Sequence, residues 1–234
     1  MKRFILPLAL LITLTSMNIF MQEKNNTLSA KEKQEGWQLL FDGKTINEWR
    51  PFKNATSDGW EVVKGELHCR EKDVQHRADL ITIAQYKDFE FAFDWKVGKS
   101  ANSGVMYRVS EDHAATYQTG PEYQLIDDLG YAEKLEDWQK SGSDYAMHPP
   151  SRIMAKPAGE YNHSRIIVKG AHVEHWLNGE KVVDFDLWTP EWEALKAKGK
   201  WKDVAGYGKN PAGHIALQDH GGGIWFRNIK IKPL

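Results

Sequence analysis

Phe89-Glu-Phe-Ala-Phe-Asp-Trp-Lys-Val97 is the stretch whose reading decides the fold. Phe89, Phe91, Phe93, Trp95 and Val97 fall on one face of an extended chain, and Glu90, Asp94 and Lys96 on the other. Successive side chains of a strand point to opposite faces, so this period of two predicts a strand with one face in a core and one in solvent. Further along, His172-Val-Glu-His-Trp-Leu-Asn-Gly-Glu-Lys-Val-Val-Asp-Phe185 reads as a hairpin, because Asn178-Gly179 accepts the positive φ angles of a tight turn. Other strands are predicted over 37–41, 60–63, 66–69, 79–83, 103–109, 122–126, 165–169, 214–219 and 224–231, with Gly, Asn and Asp between them. Many short alternating strands separated by turn residues define an all-β chain, an antiparallel β-sandwich. In this phase Phe91, Phe93, Trp95, Ile166, Val168, Val173, Leu177, Ile215, Leu217 and Ile229 should lie buried between two sheets. One short helix interrupts the strands over 190–198: Thr189 caps it, Pro190 fits the first turn, and Gly199 stops it. The charged stretch from Gly130 to Tyr145 reads as a long loop with a helical turn, and long loops on sandwiches often carry function.

The 234-residue chain opens with Lys2 and Arg3 ahead of an apolar run from Phe4 through Leu14 that fades into Thr15, Ser16 and Asn18. That profile predicts a signal peptide over residues 1–21, cleaved somewhere in 21–30, since a spanning helix would need about 20 strongly apolar residues. An exported protein, periplasmic or secreted and without stable membrane anchoring, is the expectation. Residues 22–35 then form a polar N-terminal segment and residues 36–234 a single β-sandwich domain. The chain carries 31 basic and 32 acidic residues, and loss of Lys2 and Arg3 leaves 29 against 32, so neither nucleic acid nor an anionic membrane is the expected partner. Cys69 is the single cysteine, so the core must hold without an internal disulfide. Aromatic residues make up 12% of the chain, ten of them Trp, which is more than an ordinary core requires. Pyranose C–H groups pack on aromatic faces, and a sugar is the partner this composition suggests.

Three polar strand segments are the candidates for chemistry. Gly120-Pro-Glu-Tyr-Gln-Leu-Ile-Asp-Asp128 puts Glu122, Gln124 and Ile126 on one face, and a bulge after Gln124 would bring Asp127 beside them. Lys99-Ser-Ala-Asn-Ser-Gly-Val-Met-Tyr-Arg108 offers Asn102 and Ser103 to sugar hydroxyls and Arg108 to an oxyanion. Near the end, Gln218 and His220 share one side of a strand, and the glycines at 221–223 allow close approach of a ligand. Tyr145, His148 and Asn162 are loop-borne contacts. The expected site therefore has Glu122, His220 and Arg108 as catalytic groups, with Gln124, Asn102, Ser103, Gln218, Asn162, Tyr145 and His148 binding substrate. A divalent metal ion on Glu122 and Asp127 stays open. Glu122, Gln124, Arg108, Gln218 and His220 should converge on one outer sheet face, unless that face is merely solvated. No metal-binding spacing, nucleotide-cradling glycine loop or Gly-x-Ser-x-Gly elbow occurs, which argues against NAD-dependent chemistry.

Six motifs in order carry a family resemblance: Gly36-Trp-Gln-Leu-Leu-Phe-Asp-Gly-Lys44, Asn102-Ser-Gly-Val-Met-Tyr-Arg108, Pro121-Glu-Tyr-Gln-Leu-Ile-Asp127, Lys156-Pro-Ala-Gly-Glu-Tyr-Asn162, Glu174-His-Trp-Leu-Asn-Gly179 and Gly213-His-Ile-Ala-Leu-Gln-Asp-His-Gly221. Together, over about residues 36–234, they resemble the 3-keto-disaccharide hydrolase family, also described as a 3-keto-glucoside 1,2-lyase and 3-keto-2-hydroxyglucal hydratase domain. The Glu122 strand also resembles the Glu-x-Asp-x-x-Glu strand of laminarinase-like glycoside hydrolases, with Gln124 in the middle place and Asp127 in the last. The family resemblance implies a concanavalin-like jelly-roll sandwich secreted by a glycan-degrading bacterium. It also implies cleavage of glycosidic bonds in 3-keto-glycosides, by C2 deprotonation, β-elimination and hydration. Two rivals stand beside that reading: a non-catalytic carbohydrate-binding module, and a retaining glycosidase acting on unoxidised glycan.

Overall fold

The computed structural model describes residues 24–234, which form a β-sandwich of jelly-roll type built from thirteen strands. In chain order these are β1 (Gln38–Leu39), β2 (Trp49–Pro51), β3 (Trp60–Val63), β4 (Glu66–Cys69), β5 (Leu80–Thr82), β6 (Phe89–Val97), β7 (Asn102–Val109), β8 (Glu122–Ile126), β9 (Asn162–Lys169), β10 (His172–Leu177), β11 (Glu180–Asp186), β12 (His214–Leu217) and β13 (Ile224–Pro233). The eight-stranded sheet runs β11-β10-β9-β6-β13-β4-β3, with β1 joined to β13, and the five-stranded sheet runs β2-β5-β12-β7-β8. Every pairing is antiparallel. The signal-peptide expectation falls on residues outside those described.

β6 lies in the middle of the larger sheet, and its apolar row is buried as its period of two requires. The other face carries ion pairs: Glu90 with Arg165 and Lys232, Asp94 with Arg227, and Lys96 with Glu66. All ten positions expected in the core are buried there. Phe93 sits among Phe91, Tyr123 and Phe226, at ring-centroid distances of 5.1, 6.0 and 6.2 Å. One polar cluster bridges the two sheets inside this apolar layer. The Trp95 indole donates to Ser164 Oγ at 2.8 Å, the Tyr123 hydroxyl lies 2.8 Å from the same oxygen, and it also donates to the Trp176 carbonyl at 3.1 Å. Its members satisfy one another, so burial costs them little.

The helix α2 (Pro190–Lys198) has the expected bounds, and Thr189 Oγ1 accepts from the Trp192 amide. A shorter helix, α1 (Ala30–Gln34), lies in the polar N-terminal segment. This helix was not expected; Ser29 and Glu32 start it with a capping box, in which each side chain bonds the other residue's backbone amide. Strand β2 was not anticipated, because three residues are too few to show a period. Ahead of α1, Asn26 and Asn228 exchange side-chain to backbone hydrogen bonds of 2.7 and 2.8 Å, and Asn26 Nδ2 donates to the Gly65 carbonyl. Asn228 has a φ of 54°, at a register shift between β13 and β6. That bulge is where the N-terminal segment is pinned.

Replacing Phe93 with Ala would leave a cavity beneath three aromatic rings. Denaturant unfolding should show a loss of about 3–5 kcal/mol with an unchanged m-value.

Candidate active site

On β8, Tyr123 and Leu125 enter the core, so Glu122 and Gln124 must point to the outer side of the five-stranded sheet. On that side Glu122, Gln124, Asn102, Gln218, His220 and Tyr145 line one cavity of about 250 Å³, together with Tyr117 and Lys200. β7 and β8 pair in a register that sets Gly104 opposite Gln124 and Met106 opposite Glu122. Gly104 makes the arrangement possible, since a Cβ at that position would stand 2.2 Å from Glu122 Oε1. The Glu122 carboxylate thus lies flat across a strand with no side chain in its way.

Neighbouring segments deliver the other groups. Strand β8 is an edge of its sheet, and the chain at 142–145 covers it: the amides of Gly142 and Tyr145 donate to the carbonyls of Gln124 and Glu122, both at 2.9 Å. This pairing carries Tyr145 to the cavity. Trp201 Nε1 donates to the Tyr145 carbonyl at 3.0 Å, and so ties in the turn that bears Lys200. The Lys200 ammonium rests 4.4 Å from the Tyr145 ring centroid and 4.8 Å from that of Trp201. After β12, Asp219 is fixed by its amide on Asp79, by Arg77 at 2.7 Å and by the Cys69 thiol at 3.2 Å. Gln218 and His220, on either side of it, are thereby presented to the cavity. Sequence reasoning missed Lys200 and Tyr117, which lie on irregular segments where no periodicity marks a side chain's direction.

Glu122 is 5% exposed, and its carboxylate makes no hydrogen bond to any described residue. Burial pushes its pKa up to about 8, against the opposing pull of the Lys200 charge; the carboxylates of Asp79 and Asp144 add to the rise. Asp79 and Asp144 are themselves raised by burial, although Thr116 donates to the first and His148 to the second. Lys200 is lowered by desolvation and held back from falling further by Glu122. Two amide oxygens on the cavity wall, Asn102 Oδ1 and Gln218 Oε1, are buried without a partner among the described residues. Buried polar atoms are nearly always bonded, so these two call for donors, from ordered water or from the hydroxyl groups of a ligand that displaces it. The cavity thus combines a protonatable carboxyl, an imidazole, an ammonium and three side-chain amides.

Several expectations fail on position. Arg108 does not join Glu122. It stands at a bulge, where β7 advances from Met106 to Val109 while β12 advances from Ala216 to His214, and its φ is 55°. The extra residue turns its guanidinium away to bond the carbonyls of Lys87 and Gly170, each at 2.8 Å. Asp127 is also elsewhere, because β8 has no bulge after Gln124. Its carboxylate accepts from the amides of Ser100 and Gly130, each at 2.9 Å, and closes a turn. Asn162 starts β9 in the other sheet, where Oδ1 accepts from Lys156 and Asn178. His148 lies 2.9 Å from Asp144 and stacks on Phe185 at 4.5 Å, beside a different hollow. Ser103 faces the core side of β7, where its hydroxyl donates to the Gln218 carbonyl at 2.8 Å and holds β7 to the chain beyond β12.

The proposed metal pair of Glu122 and Asp127 is therefore not assembled, and the cavity offers one carboxylate beside an ammonium, a poor set for a hard divalent cation. Among the described residues His172, Glu174 and Asp184 do come together, on the β10–β11 hairpin. The Lys181 ammonium already bonds both of those carboxylates.

The family model for the 3-keto-alpha-glucoside-1,2-lyase-like domain matches residues 36–232. A 3-keto-disaccharide hydrolase of Bacteroides thetaiotaomicron is 34% identical over 239 residues, covering 89% of this chain and 82% of that protein. Among solved structures, a candidate glycosyl hydrolase from Parabacteroides distasonis aligns with a TM-score of 0.84 at 40% identity, over 90% of this chain and 100% of that one. A second from the same organism has a TM-score of 0.63 at 28% identity, covering 80% and 100%.

The burial of Glu122 has a measurable cost. Its folded pKa lies above the unfolded value of 4.5, so the folded state holds the proton more tightly and loses stability as pH rises from about 4.5 to 8. Glu122→Gln should match the wild type in stability near pH 4 and exceed it by a few kcal/mol at pH 8.5, read by thermal or denaturant unfolding. An unchanged difference across that range would show the carboxyl to be solvated.

Proposed function

The chain belongs to the 3-keto-alpha-glucoside-1,2-lyase-like domain family, and from that premise we propose that it is an enzyme cleaving glycosidic bonds in 3-keto-glycosides, including 3-keto-disaccharides. A ketone at C3 acidifies the hydrogen on C2. A base removes that proton, the electrons pass into an enediolate across C2 and C3, and the C1–O bond then breaks as the aglycone departs with a proton. Water adds to the resulting C1=C2 bond, its oxygen to C1 and a proton to C2, so the net change is hydrolysis.

One observation carries this reading: Glu122 is a buried carboxyl facing a polar cavity, with no hydrogen-bond partner among the described residues. Proton transfer at a carbon acid needs a base with pKa near the working pH, and desolvation supplies it here. Lys200 is the cation on the cavity wall, suited to hold the developing oxyanion. His220 is exposed at the mouth and takes the part of the acid that protonates the departing oxygen. Asn102, Gln124 and Gln218 accept or donate to the sugar hydroxyls. The lone carboxylate on the wall disfavours the retaining-glycosidase alternative, which needs a nucleophile and an acid about 5–5.5 Å apart. A binding module would have no use for an unpaired buried acid. We also propose export to the periplasm or medium, with the leader removed before Asn25, a position that preserves the bonds between Asn26 and Asn228.

Purified protein should release free sugar from 3-keto-trehalose or a 3-keto-glucoside and leave the unoxidised sugars intact. Deuterium at C2 should slow kcat/KM, and product formed in heavy water should carry solvent deuterium at C2. Cleavage of the unoxidised sugar alone would overturn the assignment, and cleavage without C2 exchange would overturn the elimination route. Because Glu122 must be ionised to act as a base, kcat/KM should rise with pH through an apparent pKa of about 8. Glu122→Gln should reduce turnover by about 10²- to 10⁴-fold while sugar binding survives.

A further inference from the structure

The cavity is too small for the whole of a disaccharide. Its volume of about 250 Å³ falls below the roughly 300–1,000 Å³ of sites that enclose a drug-sized ligand. One pyranose ring fills it, and a second must lie outside. Beside the cavity four aromatic rings run in a continuous belt. Tyr117 and Trp201 are 6.3 Å apart by ring centroids, Trp201 and Tyr145 6.4 Å, and Tyr145 and Trp138 5.3 Å. The two inner rings are covered. Trp201 is 1% exposed, and the Tyr145 face is occupied by the Lys200 ammonium. The outer rings are open, Tyr117 at 40% and Trp138 at 36% exposure.

Tyr117 lines the cavity itself and so belongs to the sugar held there. Trp138 does not line it. Trp138 sits in a short 3₁₀ turn, Asp137–Gln139, within the loop whose far end pairs with β8 and supplies Tyr145. Its indole is therefore held one ring beyond the cavity wall by an edge contact with a site residue. The contact with Tyr145 covers only part of the indole, and the remainder is open to solvent next to the cavity, where a sugar ring can stack on it.

The geometry points to Trp138 as the platform for the leaving sugar, the ring that stands outside the cavity when a 3-keto-disaccharide is bound. This rests on the 3-keto-glycoside reading and adds to it a preference: a carbohydrate aglycone, with apolar C–H faces to stack, is held at Trp138, whereas a methyl aglycone does not reach it.

The test measures binding by calorimetry in the Glu122→Gln background, so that sugars persist, for a 3-keto-disaccharide and for methyl 3-keto-glucoside, before and after Trp138→Ala and Trp138→Phe. Trp138→Ala should weaken the disaccharide about fivefold and the methyl glycoside by less than about twofold, and Trp138→Phe should restore most of the loss. Equal losses for the two sugars, no loss for the disaccharide, or a Glu122→Gln protein that binds no disaccharide would each overturn the platform. Turnover by the otherwise native protein is measured separately. A disaccharide-specific loss of binding alongside absent turnover would strike the assigned reaction and leave the platform standing.

Discussion

Tyr123 is the residue on which the site depends. Its ring enters the layer between the sheets, edge-on to Phe93 at 6.0 Å, and its hydroxyl joins Ser164 and the Trp176 carbonyl of the opposite sheet. A strand so anchored cannot slip by one residue, because the slip would drive two polar side chains into the core and expose the tyrosine. Glu122 and Gln124, its immediate neighbours, are therefore compelled to face outward. The same constraint repeats on β7, where Val105 and Tyr107 enter the core and Gly104, just before them on the outward phase, leaves the space that Glu122 occupies.

The outward face would still be a solvated surface without the loops. Segment 142–145 covers the edge of β8, the Trp201 indole bonds the Tyr145 carbonyl, and Thr116, just before Tyr117, bonds the Asp79 carboxylate. Each of these bonds brings one wall of the cavity up to Glu122 and removes water from it. Desolvation of an ionised carboxylate is expensive, and the protein answers by keeping the proton to a higher pH. The gain in basicity and the loss in stability have a single origin. Such conflicts between stability and local environment are characteristic of sites where chemistry occurs.

Arg108 and Asp127 show why polar phase alone misleads. Both lie near the ends of strands whose alternation is otherwise regular; the expected direction of Arg108 follows from counting in twos, and that of Asp127 from a bulge supposed after Gln124. A bulge between Met106 and Val109 shifts Arg108 away from the site, and the absence of one after Gln124 leaves Asp127 in a turn. A bulge changes the count by one residue, and its place depends on cross-strand partners that the local sequence does not name. The loop histidine His148 and the strand-end Asn162 failed for a related reason, since each satisfies a nearby partner within its own segment.

What the sequence determined by itself was everything that follows from alternation and turn chemistry. The burial of Phe91, Phe93 and Trp95, the helix from Pro190 to Lys198, and the outward direction of Glu122, Gln124 and Gln218 were legible, because a strand or helix side chain is aimed by its own backbone period. Tertiary structure alone decided which outward residues share a cavity. Lys200 and Tyr117 reach Glu122 from irregular segments, held there by hydrogen bonds and ring contacts between residues tens of positions apart. The raised pKa of Glu122 belongs to that second class, since it depends on the water excluded by all of those walls together.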